Sequence, residues 1–222
     1  MSRQLDLVTY LITDRALCGS RGVTAVVQAA IAGGVSIVQL RDPEAKTGRL
    51  VDEARALLRL LRPAGIALIV NDRVDVALAA DADGVHVGQL DMPVADARKL
   101  LGPDRILGLS ISSLAELERA QLDGVDYLGV GPIFATQTKP DAAPPIGLAE
   151  LAQIVARTRL PVAAIGGIHP ANAAQTIEAG AVGVAVVSAI CAASDPAGAT
   201  RELGQLVRSA TRARADAQAA QR

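Results

Sequence analysis

Short runs of Val, Ile and Leu recur along the chain, at 7–12, 35–40, 66–70, 84–87, 106–110, 127–130, 161–165 and 182–187. Between them lie Ala-, Leu- and Arg-rich stretches with helical spacing, near 23–32, 48–61, 74–80, 93–101, 114–121, 148–158 and 170–179, and a last one covers about 196–207. Continuous apolar runs, rather than alternating ones, describe strands buried on both faces, as parallel strands covered by helices must be. Gly33-Gly34 and Gly180 stand where helices would stop in a left-handed cap, and Pro93, Pro170 and Pro196 stand where first turns would begin. Eight strand–helix units in one chain of 222 residues predict a (β/α)8 barrel. An open doubly wound sheet uses the same alternation, and the number of units favours closure.

No linker-like shift of composition interrupts the alternation, so 1–207 reads as one catalytic domain. The remainder, 208–222, is rich in Ala, Arg and Gln without an apolar stripe and reads as a frayed helix end or disordered tail. The balance of 22 Lys+Arg against 23 Asp+Glu gives a net charge of −1, which supplies no field to hold nucleic acid or an anionic membrane. The aromatic residues are Tyr10, Tyr127 and Phe134, too few for a base-stacking platform. Cys18 and Cys191 are far apart in sequence and form neither a disulfide framework nor a metal-ligand cluster. The N-terminal residues lack the apolar core of a secretory signal, and the most apolar stretch, 181–193, is too short to cross a bilayer. These features predict a cytoplasmic enzyme or binding protein. The oligomeric state stays open, with a homo-oligomer among the options.

In such a barrel, chemistry belongs at the C-terminal ends of the strands. There the sequence places Gln39 and Arg41, then Asn71 and Asp72, then Asp91, Ser110, the loop 131–140 with Thr136, Gln137, Thr138 and Lys139, then Gly166-Gly167, and finally Val187-Ser188. Asp72 and Asp91, in adjacent loops, suit Mg2+, which takes one or two carboxylates and fills its octahedron with water and phosphate oxygens. Asp72 equally suits a cap for the helix that follows it. Arg41 and Lys139 suit a diphosphate, the guanidinium through its fixed fork of donors; a structural ion pair and an ordinary solvated lysine are the competing readings. A glycine pair after strand seven and a hydroxyl after strand eight describe a phosphate cup. His86 reads as a hydrogen-bonded core residue and His169 as an exposed loop residue. No Ser-His-Asp set, Walker motif or GxGxxG is present.

The segments VQLRD, NDRVDVALAADADGVHVGQLDMP, GLSIS, YLGVGPIFATQTKP, PVAAIGGI and GVAVVSAI, in this order, resemble the thiamine-phosphate synthase family over about 7–193. The resemblance implies a (β/α)8 transferase that joins hydroxymethylpyrimidine diphosphate to a thiazole phosphate, often its carboxylated form, and releases diphosphate. It implies that Gln39, Arg41, Asn71, Ser110 and Lys139 bind the pyrimidine diphosphate, and that Asp72 and Asp91 hold Mg2+. It further implies that Thr136, Gln137, Thr138, Gly167, Val187 and Ser188 hold the thiazole phosphate. One position departs: where the family commonly has a basic residue two places after the arginine, this chain has Pro43, and Lys46 is the nearest cation that follows. Two other readings stay open: a thiazole tautomerase on the same barrel, and a thiamine-precursor binding protein without turnover.

Overall fold

A computed structural model describes residues 5–136, 138 and 143–220. Eight parallel strands close in sequence order: β1 (Thr9–Ile12), β2 (Ile37–Leu40), β3 (Ala67–Asn71), β4 (Gly84–Val87), β5 (Ile106–Ile111), β6 (Tyr127–Val130), β7 (Val162–Ile165) and β8 (Gly183–Val186), with β8 paired back to β1. The barrel expectation is met. Helices α2 (Gly22–Gly33), α3 (Thr47–Leu61), α4 (Val74–Ala80), α5 (Val94–Leu101), α6 (Leu114–Arg119), α7 (Gly147–Arg157) and α8 (Pro170–Glu178) fall where the apolar spacing places them. One single-turn helix was not foreseen, α1 (Arg15–Cys18), capped by the Asp14 carboxylate, and a second, α9 (Ser188–Cys191), starts at Ser188 and stands apart from the final helix. Four residues carry too little periodicity to register as a helix.

Strand alternation divides the core. Outward residues such as Val38, Leu40, Leu68, Val70, Val85, Leu107 and Leu128 join the apolar faces of the helices in one large cluster. Helix α3 contributes Leu50, Ala54, Leu57, Leu58 and Leu61, spaced along one face. Inward residues Tyr10, Ile12, Ile37, Ile69, Ile106, Tyr127, Ala163 and Ala185 form a second, smaller cluster inside the lumen. Two residues beyond Ile37, Ile69 and Gly84, on the same face, stand Gln39, Asn71 and His86. The lumen is therefore apolar towards its N-terminal end and polar towards the loops that carry the site.

The final helix α10 (Pro196–Ala220) packs between α8 and α2 and closes the ring. It overruns the boundary expected at 207. Ala210 is buried, and the Arg214 guanidinium donates to the carbonyls of Ile177 and Ala181, tying the helix to the end of α8. Composition alone suggested fraying; the Ala- and Arg-rich segment instead has good helix propensity and a docking contact supplied by another part of the fold. The run Arg15–Gly33 is long and apolar enough to span a bilayer by length and composition, with mean hydropathy 1.2, yet it contains the turn at Gly19–Arg21, and α2 lies against α10. Cys18 and Cys191 are buried free thiols.

Room in the lumen is made by missing side chains. A methyl group added at Gly108 would collide with the Tyr127 ring and with His86 Nδ1, and one at Gly129 would lie 2.9 Å from His86 Cε1. Gly108→Ala should therefore destabilise the fold by about 1–3 kcal/mol through overpacking. For a chain of this size that is a loss of several degrees in Tm, at roughly 2–4 °C per kcal/mol. Thermal unfolding followed by circular dichroism checks this; an unchanged Tm would show that Tyr127 and His86 are not fixed there.

Candidate active site

Several strands end by delivering a polar side chain to the same rim. From β2, Gln39 points into the lumen, 2 % exposed, and its Nε2 donates to Tyr10 Oη at 2.6 Å. Arg41 follows, half-buried, with its backbone N–H donating to Thr13 Oγ1 at 3.0 Å. The carboxylate nearest to it in sequence, Asp42, accepts instead from Arg15 at 2.9 Å, and Arg15 also binds Glu53 at 2.6 Å. Arg15 thus absorbs two acidic groups beside Arg41, whose positive charge is felt at Asp72.

Asp72 is not a helix cap. Helix α4 is preceded by Arg73 and has no side-chain cap hydrogen bond. Asp72 itself adopts a left-handed backbone, φ 59°, with its N–H donating to His86 O at 2.8 Å. Aspartate tolerates that conformation better than most residues, and such positions gather at functional sites. The turn aims its carboxylate at Asn71 Nδ2, 2.5 Å away, and at Asp91. Asp91 comes from the next loop, where its Oδ2 accepts from Gly88 N at 2.8 Å. Burial and the facing Asp91 carboxylate push the Asp72 pKa up to about 6, against the lowering effects of Asn71 and Arg41. Two carboxylates held face to face repel each other until a proton or a cation comes between them.

This oxygen-only pair fits Mg2+. Among the described residues no group of three or more His, Cys, Asp or Glu gathers to hold a metal, so two carboxylates would leave the remaining positions to water and phosphate oxygens, as the ion prefers.

Near the end of β5, Ser110 is half-buried, its Oγ 2.8 Å from His86 Nε2 and its carbonyl accepting from Gln89 Nε2 at 2.8 Å. His86 is a hydrogen-bonded core residue, as its sequence position suggested, but its partners reach the rim: Nδ1 lies 2.9 Å from Tyr127 Oη, which lies 2.7 Å from Tyr10 Oη. Tyr10, Tyr127 and Gln89, which hydrogen-bond to Gln39, His86 and Ser110 respectively, were not singled out from the sequence. Their signal was weak but present, since two lone tyrosines on inward strand positions, facing glycines, are unusual occupants of an aliphatic lumen. Arg73 was also overlooked; it grips Asp75 at 2.6 Å and Thr47 Oγ1 at 2.7 Å, joining the β3–α4 loop to the start of α3.

On the far side, Thr136 and Thr138 are half-buried in the β6–α7 loop, with Thr138 N donating to Thr136 Oγ1 at 3.3 Å. Gln137 and Lys139 lie outside the described residues. Gly166 and Gly167 take positive φ, 96° and 63°, and a side chain on either would strike the segment Pro132–Ala135. The pair is required for that close packing of loop on loop. Val187 and Ser188 follow β8 at the start of α9, one strand further round, with Ser188 exposed. Pro43 and Lys46 are both exposed in the β2–α3 connection.

Burial holds the His86 imidazole down at about 4. Its ordinary value near 6.5 applies when the chain unfolds, so between these limits the unfolded chain binds the proton first. The associated stability is fully present above pH 6.5 and is lost as pH falls towards 4, on the order of 3 kcal/mol. His86→Gln should therefore show a shallower fall in Tm between pH 7 and pH 4.5 than the parent protein. Parallel curves in differential scanning fluorimetry would contradict the buried neutral imidazole.

Residues 9–190 match the family described as thiamine monophosphate synthase. A thiamine-phosphate synthase of Xanthobacter autotrophicus is 58 % identical over 203 residues, covering 91 % of this chain and 96 % of the relative. One from Azorhizobium caulinodans is 52 % identical over 212 residues, covering 96 % of this chain and 100 % of the relative. The solved thiamine phosphate pyrophosphorylase from Pyrococcus furiosus superposes with a TM-score of 0.84 at 39 % identity, covering 93 % of this chain and 98 % of the other. With this agreement along nearly the whole barrel, the chain belongs to the thiamine monophosphate synthase family and is a transferase that forms thiamine phosphate.

Proposed function

We propose that the substrates are hydroxymethylpyrimidine diphosphate and a thiazole phosphate, the latter also in its carboxylated form, and that Asp72 and Asp91 hold Mg2+ for the reaction. The observation that carries this reading is the facing pair of carboxylates beside Arg41, which calls for a cation between them and an anion alongside. Bound there, Mg2+ would act as a Lewis acid towards the departing diphosphate.

The remaining roles follow from the placement of the residues. Arg41, with Lys139 (outside the described residues), offers fixed positive charge to phosphate oxygens, and Asn71 keeps the Asp72 carboxylate oriented. Gln39 and Ser110 meet the pyrimidine diphosphate from the lumen side. Thr136, Gln137 and Thr138 take the thiazole phosphate together with Gly167, Val187 and Ser188. Breaking the methylene C–O bond sends its electron pair to diphosphate and leaves a pyrimidine methyl cation stabilised by the aminopyrimidine ring. The thiazole nitrogen lone pair then closes the new C–N bond, and a carboxylated thiazole also releases CO2. No protein nucleophile is needed, because the work of the site is to orient two substrates and stabilise negative charge as it develops. Exposed Lys46 is available to replace the charge that Pro43 does not supply.

Incubation with both substrates, with and without Mg2+, followed by mass detection of thiamine phosphate tests the reading. Product should form only with the ion present. Asp72→Ala and Asp91→Ala should each remove most turnover. Arg41→Ala should lower kcat by roughly 10²–10³, typical of losing one preorganised donor to a developing anion. Near-parental turnover in both aspartate variants would overturn the assignment.

A further inference from the structure

Five side chains from five strands cross the lumen in one unbroken hydrogen-bonded line: Gln39 Nε2 to Tyr10 Oη at 2.6 Å, Tyr10 Oη to Tyr127 Oη at 2.7 Å, Tyr127 Oη to His86 Nδ1 at 2.9 Å, and His86 Nε2 to Ser110 Oγ at 2.8 Å. Both ends are residues assigned above to the pyrimidine diphosphate, while the three inner members belong to no assigned site. The inference deepens that reading and rests on it.

The Tyr–Tyr and His contacts taken singly admit either direction, and the Gln39 amide nitrogen at one end selects the order that satisfies every member of the line. An amide nitrogen only donates, so Tyr10 Oη accepts from Gln39. The one hydroxyl proton of Tyr10 then goes to Tyr127, and that of Tyr127 goes to His86 Nδ1. A neutral imidazole accepting at Nδ1 carries its proton on Nε2, and Nε2–H donates to Ser110 Oγ. Ser110 receives a hydrogen bond from inside the barrel and keeps its own proton free to give. Gln39, with its nitrogen engaged, keeps Oε1 free to accept. Reversing any one bond would leave two donors or two acceptors facing each other in a dry lumen, so the line changes sense as a whole or not at all.

We propose that this line is a one-way relay in which Tyr10, Tyr127 and His86 are positioning residues, fixing Ser110 as a hydrogen-bond donor and Gln39 Oε1 as an acceptor towards the pyrimidine substrate. The packing supports a fixed geometry: the Tyr10 and Tyr127 rings meet edge to face at 5.9 Å, the His86 and Tyr127 rings lie 5.4 Å apart, and Gly108 and Gly129 leave space for these rings.

The test reads the tautomer directly. The chain has 2 histidines, so 15N-histidine labelling with a His169→Gln variant assigns both imidazoles by long-range 15N–1H correlation at pH 7.5, without substrate. His86 should be protonated on Nε2 alone. In Gln39→Glu, whose carboxylate only accepts, the line should reverse and the proton move to Nδ1. In the Gln39→Glu, Tyr127→Phe double variant the distant change should no longer reach His86. Parental protein protonated on Nδ1, or a Gln39→Glu protein that folds with its carboxylate ionised, as read by its 13C shift, yet keeps the Nε2 tautomer, overturns the relay. A second arm avoids the buried glutamate. Tyr127→Phe should lower kcat/KM about tenfold in the parent, and less than twofold in a Ser110→Ala background, because it acts through Ser110. Equal losses in both backgrounds overturn the proposal. Because the tautomer is read on the free protein, the relay fails or stands independently of whether thiamine phosphate is formed.

Discussion

The constraint on which this molecule depends is closure of eight parallel strands around a lumen that water does not fill. Closure forces alternate residues of every strand inward, so a polar residue at an inward position must find a partner there. Leaving one such group unsatisfied costs about 1–3 kcal/mol. The chain meets this with a single connected column, from Gln39 through Tyr10, Tyr127 and His86 to Ser110. Below it the lumen is aliphatic, with Ile37, Ile69 and Ile106. The barrel is a solid core at one end and a hydrogen-bonded floor at the other.

That floor explains how a site made largely of loops holds its geometry. Asn71 and His86 are register partners across β3 and β4, and the Asp72 N–H is anchored on the carbonyl of His86. The left-handed turn at Asp72 is thus held by the sheet itself, and it directs the carboxylate towards Asp91 instead of into the helix that follows. Around the rim, Arg15 keeps Asp42 and Glu53 occupied, so the charge on Arg41 is not cancelled by its nearest acidic neighbour. Burial, with the Asp91 carboxylate facing it, raises the pKa of Asp72, and this is the electrostatic condition on which the proposed cation site rests.

Much of this was legible beforehand. Strands buried on both faces leave a strong sequence signal, and the β4 and β6 bounds agree residue for residue with the apolar runs. The rim residues were legible because barrels place chemistry after strands. The single-turn helix α1 was not legible, since four residues do not establish a period. The end of α10 was misread because Arg214 is docked by carbonyls of a different helix, which local composition does not record. Capping, one of the two readings that the position of Asp72 allowed, is excluded because α4 has no side-chain cap hydrogen bond, which only the folded backbone shows.

The sequence alone therefore determined the alternation of strand and helix, the single barrel, the family and the set of polar residues at the strand ends. All of these depend on short-range periodicity and on motifs contiguous in the chain. Only the tertiary structure decided that Tyr10 and Tyr127 touch, that His86 bridges the lumen to Ser110, and that Asp72 faces Asp91. The first two contacts join residues on different strands, Tyr10 and Tyr127 being more than 100 positions apart, and the third joins neighbouring loops; none is local in sequence, and Tyr10 meets Tyr127 only because closure brings inward-facing side chains to a common axis.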